Sequence, residues 1–317
     1  MGSALLVRGL VGAFLFCAVP LQASADDVLT LSRAFVEANK NRLTMSVTYT
    51  VDAAHKNPNA ASKDGDLHIA GRSPQIGLAT VAEIQNAGDA DDAVARVHAV
   101  EGTNQSLQVV GVWRIWPEHG GDTQHVQKAD AGPKWTGPSP TNPPHVFEIH
   151  PLVKVDGIDL THTLVPIDGY TYKEARDAFQ RYAASTFEIT PAGDKVRMRM
   201  KMVGYNYVEF LMKLRKRFQR EADGEFISAD ILTLSGSLLA RGVRVGFVDG
   251  SVPDKKQRKL EEGICMKVLG IPRVALVSWR LDHQADPEFP DALRWSLPYE
   301  IVAVGSFGDK PKPCGDD

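Results

Sequence analysis

The chain has 317 residues, 43% of them hydrophobic and 24% charged, and its formal net charge is −3 at pH 7. The hydrophobic share is enough to supply an ordinary buried core, whereas three cysteines are far too few for a disulfide scaffold. A net charge this small favours no class of partner, so only the distribution of charge along the chain is informative.

The first 25 residues have the order of a secretory signal peptide. A single charge at Arg8 is followed by an apolar run at 9–21 and then by Ala23-Ser24-Ala25. We expect cleavage before Asp26 and a periplasmic or secreted mature protein. The alternative is an uncleaved N-terminal helix. The apolar run is too short to span a bilayer comfortably and no later run reaches 18 apolar residues, so the mature protein is expected to have no membrane span.

Two cysteines remain after cleavage, Cys265 and Cys314. In an oxidising compartment they can pair and tie the flexible tail predicted at 309–317 to the strand around Cys265. Alternatively, Cys265 is a buried residue of an apolar strand and Cys314 is a free thiol in the tail. Both interpretations stay open at this point.

The first half of the mature chain, 26–168, is predicted to form a β-rich domain. Segments rich in Val, Ile and aromatic residues predict strands at 44–51, 66–71, 93–100, 107–116 and 145–155. A short helix is predicted at 80–87. The stretch 118–144 is rich in Pro and Gly and predicts a long irregular loop, and loops of this length are usually functional or mobile.

A helix at 172–185 is the predicted divider of the chain, within a dividing segment at 169–185. It opens with the capping-box pattern Thr171-x-x-Glu174. The second β-rich domain, 186–308, follows it. Strands are predicted there at 186–189, 195–203, 226–234, 238–248, 264–269, 274–281 and 299–304.

Three further features of the second half are predicted from local patterns. Apolar residues at helical spacing predict an amphipathic helix at 206–221. Ser235-Gly236 suits a tight hairpin turn between two strands. The charged stretch 254–262 predicts a short helix.

These elements predict a mainly β (α+β) protein with two small β-barrel or β-sandwich domains and packed helices. Five short strands with a helix resemble the oligonucleotide- and oligosaccharide-binding (OB) fold at class level. The first half departs from that pattern, because its predicted helix lies between the second and third strands and the fold places it later. No sequence repeat relates the halves, and a single larger twisted sheet is the alternative.

The segment His145-Val-Phe-Glu-Ile-His-Pro151 is the first candidate site. Successive side chains of a strand point to opposite faces, so Phe147 and Ile149 can face a core while Glu148 and His150 share the other face. Other polar residues of the first half lie near the strand ends. They are Asp64, Asp66, His68, Glu118 and His119.

If these strands are neighbours, the polar residues can converge on a metal ion. Imidazole and carboxylate groups are ligands of zinc or manganese, and His68, His119 and His150 are the candidate ligands. Glu148, His150 and Glu118 are the candidate acid and base groups. Together they suggest an exported metal-dependent hydrolase, such as a phosphodiesterase or nuclease. The alternative is that these groups are exposed or hydrogen-bonded for structure, since no HExxH or Gly-x-Ser-x-Gly motif is present.

The second candidate site is basic. Residues 195–220 contain nine Lys and Arg against Glu209 alone. Basic and apolar residues alternate strictly from Lys195 to Met202, which predicts a strand with a row of cations on one face. The candidate anion-binding residues are Lys195, Arg197, Arg199, Lys201, Lys213 and Arg217.

A row of like charges repels itself, so acidic neighbours or an anionic ligand should offset it. The leading hypothesis is therefore an exported binding protein whose partner is an anionic polymer, nucleic acid or acidic glycan. The alternative is a solvated edge strand protected from aggregation by its charges. Trp135, in the 118–144 loop, is either a ligand-stacking group or a residue that pins the loop. Whether the protein is an enzyme stays open.

Overall fold

The computed structural model of the protein describes residues 27–121, 123–185, 187–201, 205–278, 299–308 and 312–314. Strands account for 48% and helices for 16%, which confirms the mainly β prediction. The predicted signal peptide, its cleavage site and most of the tail at 309–317 lie outside the described residues. No helix among the described residues is long and apolar enough to cross a membrane.

The strands are numbered in chain order. Those before residue 160 are β1 (Asp27–Ser32), β2 (Thr44–Ala54), β3 (Leu67–Arg72), β4 (Thr80–Ile84), β5 (Ser106–His119), β6 (Gln124–Val126), β7 (His145–Val155) and β8 (Ile158–Asp159). Those after it are β9 (Lys173–Glu174), β10 (Phe187–Ala192), β11 (Lys195–Met200), β12 (Val208–Glu221), β13 (Gly224–Leu232), β14 (Leu238–Val248), β15 (Ile264–Val274), β16 (Tyr299–Ser306) and β17 (Lys312–Pro313).

The helices are short. They are α1 (Arg33–Asn39), α2 (Asp91–Val100), α3 (Ala175–Ala184) and α4 (Val252–Gln257). Single 3-10 turns occur at Ala87–Asp89, Thr161–Thr163 and Leu276–Ser278.

Barrel one consists of β2, β3, β4, β5 and β7. Its strand order is β4-β3-β2-β5-β7, and a parallel pairing between β4 and β7 closes it. Its other neighbouring strands are antiparallel. Helix α2 joins the third strand of this barrel to the fourth.

Barrel two repeats the same topology with β12 to β16. Its order is β15-β16-β14-β13-β12; β12 also pairs with β15, and β14 lies parallel to β16. Helix α4 again connects the third strand to the fourth. The two closed five-stranded barrels confirm the prediction of two small barrel domains, OB-like at class level. The two barrels thus share one strand topology, although no sequence repeat relates them.

A four-stranded sheet, the basic sheet, joins the two halves of the chain. Its order is β10-β11-β1-β6. The first described strand, β1, pairs antiparallel with β11 from the second half and parallel with β6.

Two predictions about the first half were wrong: a segment predicted as a helix is a strand, and a segment predicted as a strand is a helix. Segment 80–87 is strand β4 rather than a helix, because residues 80–84 are buried on both faces and show no alternation. Segment 93–100 belongs to helix α2 rather than a strand, with buried residues at helical spacing and acidic residues in its first turn. With both corrected, the helix falls after the third strand, where the OB pattern places it.

The helix predicted at 206–221 is strand β12. Its buried residues alternate at Val208, Phe210, Met212 and Leu214, whereas Phe218 is 41% exposed. Register shifts between Leu214 and Lys216 and again before Arg220 interrupt the period of two. Apolar residues also stand next to the alternating buried positions, at Tyr207 and Leu211, and together with Phe210 and Leu214 they give a spacing that resembles a helix.

Other boundaries differ less. The dividing helix is confined to α3, and Lys173–Glu174 forms β9 instead of a capping box, because the helix begins after Glu174 without a side-chain cap. The predicted loop 118–144 contains the end of β5 and the short strand β6. The strand predicted at 274–281 ends with β15 at Val274 and is followed by a 3-10 turn, and residues 279–281 lie outside the described residues. The hairpin predicted at Ser235-Gly236 joins β13 to β14.

Cys265 and Cys314 form a disulfide. Cys265 lies in β15 and is buried, while Cys314 follows β17, which pairs with β15. The bond therefore ties the C-terminal segment to barrel two, which resolves the choice that the sequence left open.

Two buried arginines connect the barrels reciprocally, and we call them the arginine clasp. Arg114 of β5 donates from Nε to the carbonyl oxygen of Pro272 at 2.8 Å. Arg273 of β15 donates from Nη1 to the carbonyl oxygen of Trp113 at 2.9 Å. Both arginine side chains are fully buried, so each barrel supplies a cation that satisfies a backbone acceptor of the other.

Candidate functional site

A buried charged cluster lies on the outer face of barrel one. It consists of Asp66, Glu83, Arg114, His145, Glu148 and His150, each at most 5% exposed. Phe147 and Ile149 face the hydrophobic core, as alternation along β7 predicted. The opposite face of β7 is also buried, because Tyr207 and Pro272 from the second half cover it.

Strand register brings these groups together. Arg114 lies directly opposite Glu148 across β5 and β7, and His68 lies opposite Glu83 across β3 and β4. Arg114 donates from Nη1 to Glu148 Oε2 at 2.7 Å, and His145 Nε2 lies 3.4 Å from Glu148 Oε1. Glu148 is therefore the acceptor for the charged groups at this end of the cluster.

His150 occupies the centre of the cluster. Its Nδ1 lies 3.3 Å from Glu83 Oε2, and its Nε2 lies 2.8 Å from the Tyr207 hydroxyl. Tyr207 donates its proton to Asp66 Oδ2 at 2.6 Å. An imidazole, two carboxylates and a phenol thus form one continuous polar chain.

Burial and neighbouring charges set the protonation states. Burial raises the pKa of Glu83 to about 7 and that of Asp66 to about 6. Burial alone would raise the pKa of Glu148 too, but Arg114 holds it well below its usual range. Burial alone would lower the pKa of His150, yet the nearby carboxylates, Glu83 foremost, raise it to about 10. His150 is therefore in its positively charged imidazolium form at neutral pH.

When all three carboxyl groups of the cluster are ionised, its one guanidinium leaves two negative charges, so neutrality then requires two further positive charges. Protons on histidines can supply them, and so can one divalent cation. Asp66, Glu83 and His150 offer ligand atoms that all lie within 4.8 Å of one another. Asp66 Oδ1 and His150 Nδ1 are buried and have no hydrogen-bond partner. The donor set of two carboxylates and one imidazole suits zinc or manganese.

Of the three predicted metal ligands, only His150 belongs to this triad. His68 lies at its edge, with Nε2 3.7 Å from Glu83 Oε2, and His119 stacks on His145 with ring centroids 5.3 Å apart. Glu118 stands apart from the triad, and its carboxylate accepts a hydrogen bond from Trp116 Nε1 at 3.1 Å. The structure thus gathers Glu148, His150 and His68 and leaves Glu118 beside the cluster.

Sequence reasoning missed Glu83, Arg114 and Tyr207. The patterns predict a helix around Glu83 and another around Tyr207, and both segments are strands or strand ends instead. Arg114 sits in the apolar strand Val112-Trp-Arg-Ile-Trp116, where a lone cation flanked by apolar residues is the available signal. An arginine there needs a buried partner, which is Glu148.

The basic sheet presents its cations to solvent. Along β11, Val196, Met198 and Met200 are at most 1% exposed, while the basic residues between them are exposed. Arg199 lies opposite Glu188 of β10, and the two form an ion pair of 3.5 Å. Alternation on this strand is therefore as predicted, and one acidic neighbour offsets part of the row.

The rest of the row faces neutral neighbours. Arg197 lies between Thr30 of β1 and Thr190 of β10, and Lys195 lies between Ser32 and Ala192. Among the described residues, no acidic side chain lies within ion-pair distance of Arg197 or Lys195. Lys201 follows the strand and is exposed as well.

Lys213 and Arg217 belong to barrel two, on β12, and not to a helix beside β11. Lys213 lies opposite Asp230 of β13. Arg217 donates to Gln257 and to the carbonyl oxygen of Leu260, at 2.7–2.9 Å. Arg217 is thus hydrogen-bonded within barrel two, and Lys213 has an acidic residue opposite it on the neighbouring strand.

Comparison of the chain with protein-family models, with curated proteins and with solved structures gives no significant match.

Proposed function

We propose that this chain is an exported two-barrel protein that binds an anionic polymer, nucleic acid or acidic glycan, on the exposed face of the basic sheet. The observation that carries the proposal is the cation row of β11, in which Lys195 and Arg197 are exposed and have neutral residues on both neighbouring strands. The cations repeat at every second residue on one face of β11, about 6.6–7 Å apart. A polymer with regularly spaced negative charges can pair with Lys195 and Arg197 along this face.

Replacing Lys195 and Arg197 by Gln tests this proposal. This variant should bind both probes, heparin and a single-stranded DNA oligomer, more weakly than the parent protein does. The slope of log Kobs against log[salt] for the single-stranded DNA should become shallower by about 0.7 for each phosphate that the protein no longer neutralises. Fluorescence anisotropy over a series of salt concentrations measures both quantities. Stability should change by less than about 0.5 kcal/mol, because the apolar face of β11 is untouched.

The matched control replaces Arg241 and Lys255, two exposed cations of barrel two, by Gln. This control should bind as the parent protein does. If the Lys195→Gln, Arg197→Gln variant binds both probes unchanged at low salt, the basic sheet is not the binding surface.

Export rests on the N-terminal pattern and on the disulfide. The charged start, apolar run and Ala23-Ser24-Ala25 of the first 25 residues are typical of a cleaved signal peptide. The bond between Cys265 and Cys314 suits an oxidising compartment, where such bonds form and persist. Together they favour a periplasmic or secreted protein.

The second candidate function is that of a metal-dependent hydrolase. The observation that favours a metal is the triad of Asp66, Glu83 and His150, in which the buried atoms Asp66 Oδ1 and His150 Nδ1 make no hydrogen bond. A bound zinc or manganese ion would replace the proton of His150 and act as a Lewis acid toward water or a phosphate. Burial of all three residues to 5% or less argues against hydrolysis, since a catalytic ion keeps a position open to substrate and a structural ion does not.

Elemental analysis of the purified protein, with and without added zinc or manganese, tests the triad. If an ion binds, the metal content should be stoichiometric in the parent protein. It should fall to background in the Glu83→Gln variant and stay at the parent level in the control variant Glu118→Gln. Binding should also stabilise the fold, by about 2.7 kcal/mol at a free ion concentration of about 100 times Kd. A loaded protein that fails to cleave bis(p-nitrophenyl) phosphate would exclude the hydrolase, and the lack of any bound ion would exclude the metal.

A further inference from the structure

A groove of about 250 Å³ lies beside barrel one, between β3 and the irregular loop that follows β6. Its walls carry basic and apolar side chains. They include Arg72, His125, Val126, Lys128, Lys134 and Trp135. The groove is separate from the buried charged cluster, whose residues do not line it.

The loop that forms the outer wall is fixed to the barrel at several points. Lys128 donates its backbone N–H to the carbonyl oxygen of Gly77 at 2.8 Å, and Arg72 Nη1 donates to the carbonyl oxygen of Gly132 at 3.3 Å. A Cβ on Gly77 would lie 2.2 Å from the Lys128 oxygen, so the approach requires glycine. The groove is therefore preformed, which lowers the entropic cost of binding.

Trp135 is held in a fixed orientation but remains 39% exposed. Its Nε1 donates to the carbonyl oxygen of Pro138 at 2.8 Å, and Gly137 packs so closely on the indole that a Cβ there would lie 2.3 Å from Cζ2. Contacts within its own loop thus orient the ring, and part of it faces solvent. A rigid, exposed indole is a platform on which a planar ring can stack.

The groove is continuous with the basic sheet through β6. Val126 lines the groove and lies opposite Thr30 of β1, which in turn lies opposite Arg197 of β11. Two strand spacings, about 10 Å, separate Arg197 from Val126. A polymer bound at the cation row can therefore reach the groove with its neighbouring units.

The chemistry of the groove favours one class of polymer. Asp52 is the carboxylate among the described lining residues, and both of its oxygens accept hydrogen bonds from Arg72 at 2.9–3.1 Å. An acidic glycan needs cations and, in addition, acceptors for its many hydroxyl groups, whereas a nucleic-acid strand needs cations for phosphates and a flat apolar surface for bases. Lys128, Lys134 and Trp135 meet the second requirement.

We propose that the groove binds single-stranded nucleic acid, with a base stacked on Trp135 and the phosphates running over Lys128 and Lys134 to the cation row of β11. This inference rests on the proposed function, since it names the polymer class and the path of the strand. The base supplies affinity beyond charge, because stacking does not depend on salt.

The experiment compares Trp135→Leu with the parent protein, using oligo(dT), an abasic oligomer of the same length, and heparin. Loss of one stacked base should weaken oligo(dT) binding about 5- to 150-fold and leave abasic and heparin binding unchanged. Trp135→Phe should retain most of the affinity, because a smaller aromatic ring still stacks. Phe218→Leu, a change of an exposed aromatic on barrel two, is the matched control and should have no effect.

The outcomes separate the groove from the function on which it rests. If Trp135→Leu binds oligo(dT) normally while the Lys195→Gln, Arg197→Gln variant does not, the groove inference is wrong and the proposed function stands. If heparin binding depends on Trp135 and oligo(dT) binding does not, the occupant is a glycan and the inference fails. If the parent protein binds none of the three probes, the proposed function itself is overturned.

Discussion

The Arg273→Met variant is expected to lose about 3 to 5 kcal/mol of unfolding free energy, because it removes a buried cation with several acceptors. Arg273 donates from Nε to Glu300 Oε1 at 2.7 Å. It also donates to the carbonyl oxygens of Leu43, Trp113 and Arg42 at 2.9–3.0 Å. Methionine fills much of the same volume but removes this donor from Glu300 Oε1 and from the carbonyl oxygens of Leu43 and Trp113, each costing about 1–3 kcal/mol. The carbonyl oxygen of Arg42 keeps the hydrogen bond from Trp113 Nε1 at 2.7 Å.

Chemical denaturation at constant pH measures this loss. The matched control is Arg241→Met, since Arg241 is 57% exposed and its nearest carboxylate oxygen, on Asp230, is 3.9 Å away. The control should change stability by less than about 0.5 kcal/mol. Equal losses of unfolding free energy in both variants would show that the buried contacts of Arg273 do not stabilise the fold, and would contradict the role of the arginine clasp.

The Arg114→Met variant is expected to lose about 3 to 5 kcal/mol as well, for a different reason. Glu148 is 2% exposed and its pKa is held low by Arg114, so the change leaves a buried carboxylate without its main counter-charge. The carbonyl oxygen of Pro272 and Asn206 Oδ1 lose their donor at the same time. The unfolding free energy from denaturation is again the measurement.

A double-mutant cycle isolates the charge pair from the other interactions of Arg114. Adding Glu148→Gln removes the uncompensated charge, so the double variant should be more stable than the sum of the single losses predicts, by about 1–3 kcal/mol. Strict additivity would show that Glu148 gains nothing from Arg114 despite a separation of 2.7 Å.

Local patterns predicted strands in which apolar residues alternate with polar ones, whether or not the second face is buried, and a turn that the sequence specifies. Strand β7 and strand β14 were bounded correctly, and the Ser235-Gly236 turn joins β13 to β14 as expected. Strand β4 was missed because both of its faces are buried, so its sequence lacks a period of two. Strand β12 was missed because both of its faces carry apolar residues, and Tyr207, Phe210, Leu211 and Leu214 together show helical spacing.

The candidate site was predictable only where one strand carries two of its members. Glu148 and His150 share a face by alternation along β7, and this can be predicted from the sequence alone. Glu83 and Tyr207 join them through strand pairing and barrel packing, over separations that no local pattern encodes. His119 and Glu118 end β5 beyond a register shift, which turns Glu118 toward Trp116 and leaves His119 against His145.

The pairing of β1 with β11 constrains the order in which the chain folds. Each barrel is built from a continuous stretch, but β1 has to wait for β11, because Asp27 pairs with Met200. During synthesis, barrel one can close as soon as β7 is complete, while Leu29 and Leu31, both fully buried in the end, still lack their covering strand. Closing so long a loop is slow, and exposed apolar strands aggregate. Strand β1 therefore stays without one of its two partner strands until β11 has been made.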